Sequence, residues 1–169
     1  HLMDELFKKD CMRTFTGKSV NVFNPKPEMF DIIDIAHGLS KEQRFGNQLA
    51  MNYCVAQHSI ICCEMAPIEN KLTALMHDAA ETYLRDLAKP VKLRLSEYSE
   101  IENIIMECLS DKFGFQYPLP DRVKEIDNFM LKREWNALML RNEPFGDALM
   151  SRTKAKKTFL KMFKELSLS

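Results

Sequence analysis

The run Leu75-Met76-His77-Asp78-Ala79-Ala80-Glu81-Thr82-Tyr83-Leu84-Arg85-Asp86 carries an imidazole and several carboxylates in close succession. Imidazole nitrogen and carboxylate oxygen together suit a divalent first-row metal ion. Read as a helix, the segment stacks His77 and Glu81 one above the other, with Asp78 about 100° around from His77. An ion held by His77 and Asp78 then lies within reach of Glu81, which is placed to handle a water molecule as a base. The chemistry to expect is metal-dependent hydrolysis.

Two further ligands fit from elsewhere in the chain. His58 falls within an apolar stripe of Met51, Cys54, Val55, Ile61, Cys62 and Met65, on a helix expected from an Asn47 cap to Met65, and so points inward. A lone inward histidine is more often satisfied by a backbone carbonyl, but the His77-Asp78 pair on the next helix reverses that weighing. Asp127 lies among Val123, Ile126, Met130 and Leu131 on the inner side of a later helix, where an unpaired carboxylate is costly and needs a metal or another cation. Asp121 has the right residue type, but its place at a helix start is explained by capping. His58, His77, Asp78 and Asp127 can therefore meet at one point, in the chain order His…His-Asp…Asp.

The elements that must bring them together read as helices. Residues 4–28 form an extended arm that ends on the helix-blocking Asn24-Pro25-Lys26-Pro27. Helices follow at 29–38 with Gly38 near the end, at 47–65 stopped by Pro67, and at 68–87 ending before Pro90. Ser96 caps a helix to Gly114, Tyr117-Pro118-Leu119-Pro120 turns the chain, and Asp121 opens a helix to Leu140. A loop at 141–151 leads to a last helix at 152–166. No segment alternates as a strand should, so the expected fold is all-α, a bundle of about six helices. The catalytic domain is expected over 29–150, with 151–169 a basic amphipathic helix packed on it. Within residues 1–3, His1-Leu2 reads as a cloning scar ahead of a natural start at Met3, which removes His1 as a ligand.

The chain has 169 residues, 46% of them hydrophobic and 28% charged, which fits one soluble domain with a real core. Its formal net charge is zero, which argues against a nucleic-acid polymer as partner. No apolar stretch is long enough to span a membrane and no signal peptide is evident, so a cytoplasmic location is expected. The five cysteines (11, 54, 62, 63 and 108) lack zinc-finger spacing and read as reduced, half-buried thiols. Thr16-Gly17-Lys18-Ser19 mimics the end of a phosphate-binding loop, but the first glycine that motif requires would fall on Met12. His37 either lines the pocket or, more in keeping with its short helix, serves structure. The stretch Arg152, Lys154, Lys156, Lys157, Lys161 and Lys164, backed by Phe159, Phe163 and Leu166, reads as a docked surface helix, with a subunit contact or a triphosphate site as the secondary reading.

In order and local context these residues resemble the HD-domain metal-dependent phosphohydrolases, above all the small 5′-deoxynucleotidases and the phage dATP triphosphohydrolases. The resemblance spans roughly residues 29–140. It rests on Ala56-Gln57-His58-Ser59-Ile60, His77-Asp78-Ala79-Ala80-Glu81, Asp86-Leu87-Ala88-Lys89-Pro90-Val91-Lys92, and Ile126-Asp127-Asn128 with Leu131-Lys132. Arg44-Phe45 stands where the bacterial deoxynucleotidases have Arg-Trp near sugar and phosphate, a departure that loses the indole N–H. The arm and Asp34-Ile35-Ala36-His37 look more like the phage members.

The resemblance implies attack of water on the phosphorus bonded to the 5′ oxygen of a 2′-deoxynucleotide. The divalent ion (Mn, Co, Zn, Mg or Fe) would be held by His58, His77, Asp78 and Asp127, with Glu81 as the catalytic base. Arg44 is expected as a phosphate clamp because its planar fork suits oxyanions, with Phe45, Lys89 and Lys92 nearby. Asp86 would approach the 3′-hydroxyl. The preferred substrate is dATP, giving deoxyadenosine and triphosphate, an activity that suits a phage depleting the host pool. A 5′-deoxynucleotidase acting on several monophosphates is the near alternative. Cyclic-nucleotide or alarmone hydrolysis is a more distant one, and a helical interaction module that lost its chemistry is the remote one. The related enzymes form dimers or hexamers, so a homo-oligomer is expected.

Overall fold

The computed structural model describes residues 2, 6–143 and 149–168. The expected scar, apart from Leu2, and positions 144–148 of the expected 141–151 loop lie outside the described residues. The helices are α1 Ile32–Lys41, α2 Val55–Met65, α3 Lys71–Met76, α4 Glu81–Leu84, α5 Lys89–Lys92, α6 Ser96–Phe113, α7 Asp121–Glu134 and α8 Arg152–Ser167. The coil of α7 widens into a π-helical stretch over Trp135–Leu140. The fold is all-α, as the pattern predicts, apart from one small hairpin in the N-terminal arm. There β1 (Cys11–Arg13) pairs antiparallel with β2 (Ser19–Asn21), Met12 opposite Val20. The P-loop mimic is the turn of this hairpin, and Thr16 ties it to α1 by donating from its amide and its hydroxyl to Asp34, at 2.7 and 2.8 Å.

At the centre lies α2, whose residues from Val55 to Cys63 are all buried. It packs against α1, α3, α7 and α8. The expected one-sided stripe is therefore not what positions His58, because a helix surrounded by protein buries every face. Nor does α2 begin at Asn47. Residues Arg44–Asn47 make a 3₁₀ turn in which Phe45 and Asn47 have φ of 57° and 63°. The chain then doubles back, with Arg44 N–H donating to Tyr53 O at 2.9 Å and Val55 N–H donating to Glu42 O at 2.8 Å. Cys54, not Asn47, supplies the cap, its sulfur accepting from Gln57 N–H at 3.4 Å. This closed loop carries Arg44 into the interior.

The expected helix over 68–87 is broken at the residues of greatest interest. A 3₁₀ turn at Ile68–Asn70 leads into α3, which stops at Met76, and α4 begins at Glu81. The reason is local. His77 Nδ1 donates to Ala74 O at 2.6 Å, occupying an acceptor that a continuing α-helix would offer to the Asp78 amide. Tight turns follow, with Ala79 N–H donating to Met76 O, Glu81 N–H to Asp78 O and Thr82 N–H to Ala79 O. Winding of this kind has about three residues per turn and brings positions i and i+3 into register. Asp78 and Glu81 thus share a face, in place of the expected His77 and Glu81.

Gly38 does not end a helix; α1 begins three residues later than expected and runs on to Lys41. Its role is close approach, since a Cβ at position 38 would lie 2.6 Å from Thr82 Cγ2. The neighbouring α8 docks with Ala155 and Phe159 buried, as the surface-helix reading expects. No helix among the described residues is long and apolar enough to cross a membrane. Exposed Gly→Ala changes within helices ordinarily gain about 1 kcal/mol. Gly38→Ala is expected to lose about 1–3 kcal/mol through overpacking, read by thermal or urea unfolding, and adding Thr82→Ala should recover part of that loss.

Candidate metal centre

The middle of α2, the 77–78 turn and the middle of α7 converge. His58 Nε2 lies 3.3 Å from His77 Nε2 and 2.9 Å from Asp127 Oδ1, and His77 Nε2 is 3.5 Å from the same oxygen. Asp78 Oδ2 is 3.1 Å from His77 Nε2 and 3.7 Å from His58 Nε2. Donors bound at about 2.1 Å, at right angles or tetrahedrally, stand about 3.0–3.4 Å apart. The residues fit a divalent ion.

The far side of each ring is already committed. His58 Nδ1 faces both oxygens of Glu134, at 3.0 and 3.1 Å, while His77 Nδ1 has the Ala74 carbonyl. Acceptors at both Nδ1 positions fix one ring proton on each Nδ1, so the two Nε2 atoms, which face each other and two carboxylates, are the positions that turn to a metal once their own protons leave. Burial and Arg44 oppose charge on His58, yet Glu134, Cys62 and Asp127 outweigh them and raise its pKa well above the ordinary value. Burial likewise opposes charge on His77, and Asp78 with Asp127 overcomes it. Asp78 and Asp127 titrate low in spite of burial, because the two imidazoles stand against them. A site that holds protons between rings and carboxylates in this way is one from which a metal ion displaces them.

Behind the rings lies a residue that the sequence reading missed. Glu134 is 0% exposed and pairs with Arg44 Nε at 3.0 Å and Nη2 at 3.1 Å, as well as with His58. Tyr53 also hydrogen-bonds to it. The signal was present, since Glu134 follows Asp127 by two helical turns and continues the face of Val123, Ile126 and Met130. Cys62, one turn after His58, was read only as an apolar thiol; its Sγ is 3.6 Å from His58 Nε2. It belongs with His58, His77 and Asp127 to a group whose donor atoms all lie within 4.8 Å of one another. Cys54, Cys62 and Cys63 are fully buried, not half-buried as expected.

In front of the donors opens a cavity of about 1040 Å³, with Asp78, Glu81 and Asp127 in its wall. Asp127 is 40% exposed there, so it stands at the cavity's edge and not inside the core as its helix face suggests. Burial, then Asp78 and Asp86, raise the pKa of Glu81 well above its ordinary value, and its Oε2 is buried with no hydrogen-bond partner. Burial also pushes Asp86 up to about 6, against the pull of Arg44 and with the help of Asp78 and Glu42. Arg44 lines the cavity with its fork held by Glu134. Phe45 meets Trp135 edge-on, with ring centres 5.7 Å apart. Lys92 is bound to Glu102 at 2.9 Å, and Lys89 is an exposed rim residue. His37 is elsewhere, stacked on Phe15 at 3.9 Å with Lys156 Nζ 3.2 Å from its Nδ1, which is the structural role.

Glu134→Gln keeps the shape but removes the charge that orients His58. Metal affinity is expected to fall about 10–100-fold at unchanged stoichiometry, measured by competition with a chelator. An unchanged affinity would assign Glu134 to Arg44 alone. Asp86 yields a pH signature in chelator-treated protein. Below about pH 4 its carboxyl is protonated in folded and unfolded chains alike, and its stabilising contribution, which a raised pKa implies, is fully present. That contribution is lost as pH rises through the folded value of about 6, above which the folded protein carries a desolvated charge. Asp86→Asn should therefore raise stability by about 1–2 kcal/mol at neutral pH, after allowance for solvent screening, and leave it unchanged near pH 4.

No family model matches the chain. The uncharacterized protein YfdR of Escherichia coli strain K12 is 36% identical over 140 residues, which cover 82% of this chain and 78% of that protein. An uncharacterized protein of Rhodobacter capsulatus is 32% identical over 127 residues, covering 69% of this chain and 65% of that one. Identity of this degree over four-fifths of its length shows that the chain belongs to the same family as YfdR.

Proposed function

We propose that this chain is an HD-domain metal-dependent phosphohydrolase of 2′-deoxynucleotides, with dATP, cleaved to deoxyadenosine and triphosphate, as its preferred substrate. The observation that carries the reading is the meeting of two imidazole Nε2 atoms with the carboxylates of Asp78 and Asp127 beside a cavity of about 1040 Å³. That volume is of the size that holds a drug-sized or nucleotide-sized ligand. A divalent ion bound there supplies Lewis acidity toward water and toward a phosphoryl oxygen.

The chain's own residues supply the rest. Glu81, with a raised pKa and an unpartnered buried oxygen, accepts a proton from the attacking water at Oε2. As the bond from water oxygen to phosphorus forms and the bond to the 5′ oxygen breaks, that proton is returned to the leaving alcohol. Arg44, held rigid by Glu134, sets a fixed positive charge in the cavity wall for the phosphate oxygens. Asp86, pushed up to about 6 yet mostly ionised at neutral pH, can accept a hydrogen bond from the sugar 3′-hydroxyl. Phe45 and Trp135 offer an apolar wall to the base.

The test is a panel of the four dNTPs, the deoxynucleoside monophosphates and the matching ribonucleotides, with Mn²⁺, Co²⁺ or Mg²⁺ added and products resolved by chromatography. Deoxyadenosine and triphosphate from dATP are expected. Phosphate released from several deoxynucleoside monophosphates, with triphosphates intact, would replace the substrate with that of a 5′-deoxynucleotidase. Equal turnover of ribonucleotides, or silence with metal bound, would overturn the reading. Glu81→Gln should lose about 10²–10⁴-fold in rate while the bound metal stays.

A further inference from the structure

We propose that Cys62 is itself a metal ligand, making the centre a mixed sulfur, nitrogen and oxygen site that selects a borderline-soft ion such as Zn²⁺ over Mg²⁺. The proposal rests on the reading of His58, His77 and Asp127 as ligands. His58 and Cys62 stand four residues apart on α2, one above the other on the same face. A metal–sulfur bond of about 2.3 Å and a metal–nitrogen bond of about 2.05 Å at the tetrahedral angle put sulfur and nitrogen about 3.6 Å apart. The observed separation from Cys62 Sγ to His58 Nε2 is 3.6 Å.

The wider set agrees. The donor atoms of His58, Cys62, His77 and Asp127 lie within 4.8 Å of one another, and Asp78, though close to both imidazoles, is not part of that mutually close group. Cys62 completes a four-donor cage on the protein side, whereas Asp78 reaches the same imidazoles from the cavity wall. The thiol gives its proton to solvent as the sulfur–metal bond forms, and the thiolate with ionised Asp127 then balances a divalent charge. Thiolate favours Zn²⁺, Co²⁺ and Fe²⁺, whereas Mg²⁺ is served by carboxylate and water. Without a metal bond, Cys62 would be only a weak S–H donor to the His58 ring.

The experiment is a titration of the chelator-stripped full chain with Co²⁺, followed by absorption. One equivalent should bind with visible ligand-field bands and a near-ultraviolet sulfur-to-cobalt charge-transfer band, and Cys62→Ser should lose that band while still binding one equivalent. Zinc affinity, measured by chelator competition, should fall at least about tenfold in Cys62→Ser, with Mg²⁺ binding changed by less than about twofold. One equivalent of Co²⁺ without the charge-transfer band in the natural chain would overturn the part given to Cys62 and leave the centre standing. No stoichiometric Co²⁺ binding would overturn both.

Discussion

Burial of the Glu134 carboxylate is the constraint on which the rest of the site depends. A charge with no exposure to water persists only if its partners are held as rigidly as it is. Here those partners come from separate parts of the chain: Arg44 and Tyr53 from the loop between α1 and α2, and His58 from the middle of α2. Satisfying one carboxylate therefore closes that loop onto α7 and sets the plane of the His58 ring. The strained backbone at Phe45 is intelligible in the same terms, because the tight turn there delivers the guanidinium next to it to the buried Glu134 carboxylate.

A gradient of protonation runs outward from that anchor. Glu134, Asp127 and Asp78 lie beside cations or imidazoles and titrate low. Glu81 and Asp86 stand beyond them, with burial and carboxylate neighbours acting together, and titrate high. Acidic groups of one chemical type thus divide into those held ionised beside cations and those that keep their proton to a higher pH than a free carboxyl does.

His58, the His77-Asp78 pair and Asp127 were legible in the sequence because residue type and helix face are local properties. So was the all-helical fold, from the apolar periodicity. The break after Met76 was not legible, since it depends on an imidazole reaching back to a carbonyl, and helix propensity does not register that bond. Asn47 misled because its residue type suits a helix cap as readily as a left-handed turn. Glu134 and Cys62 were overlooked for a different reason: their meaning comes from what α2 and α7 bring together across long sequence separations. Arg44 was found, but its bond to Glu134 lies ninety positions away in the chain.

The widening of α7 after Glu134 divides this helix into two parts with different surroundings. Before it, His58 is tied to both Asp127 and Glu134; after it, Trp135, Asn136 and Met139 line the open cavity. Another part of the wall, from Leu87 to Ser99, follows the His77-Asp78 turn in the chain and supplies none of the donors. Floor and walls are thus separate parts of the chain. Remodelling the far end of one helix and one facing segment would change which ligands the cavity accepts without moving the donors beneath it.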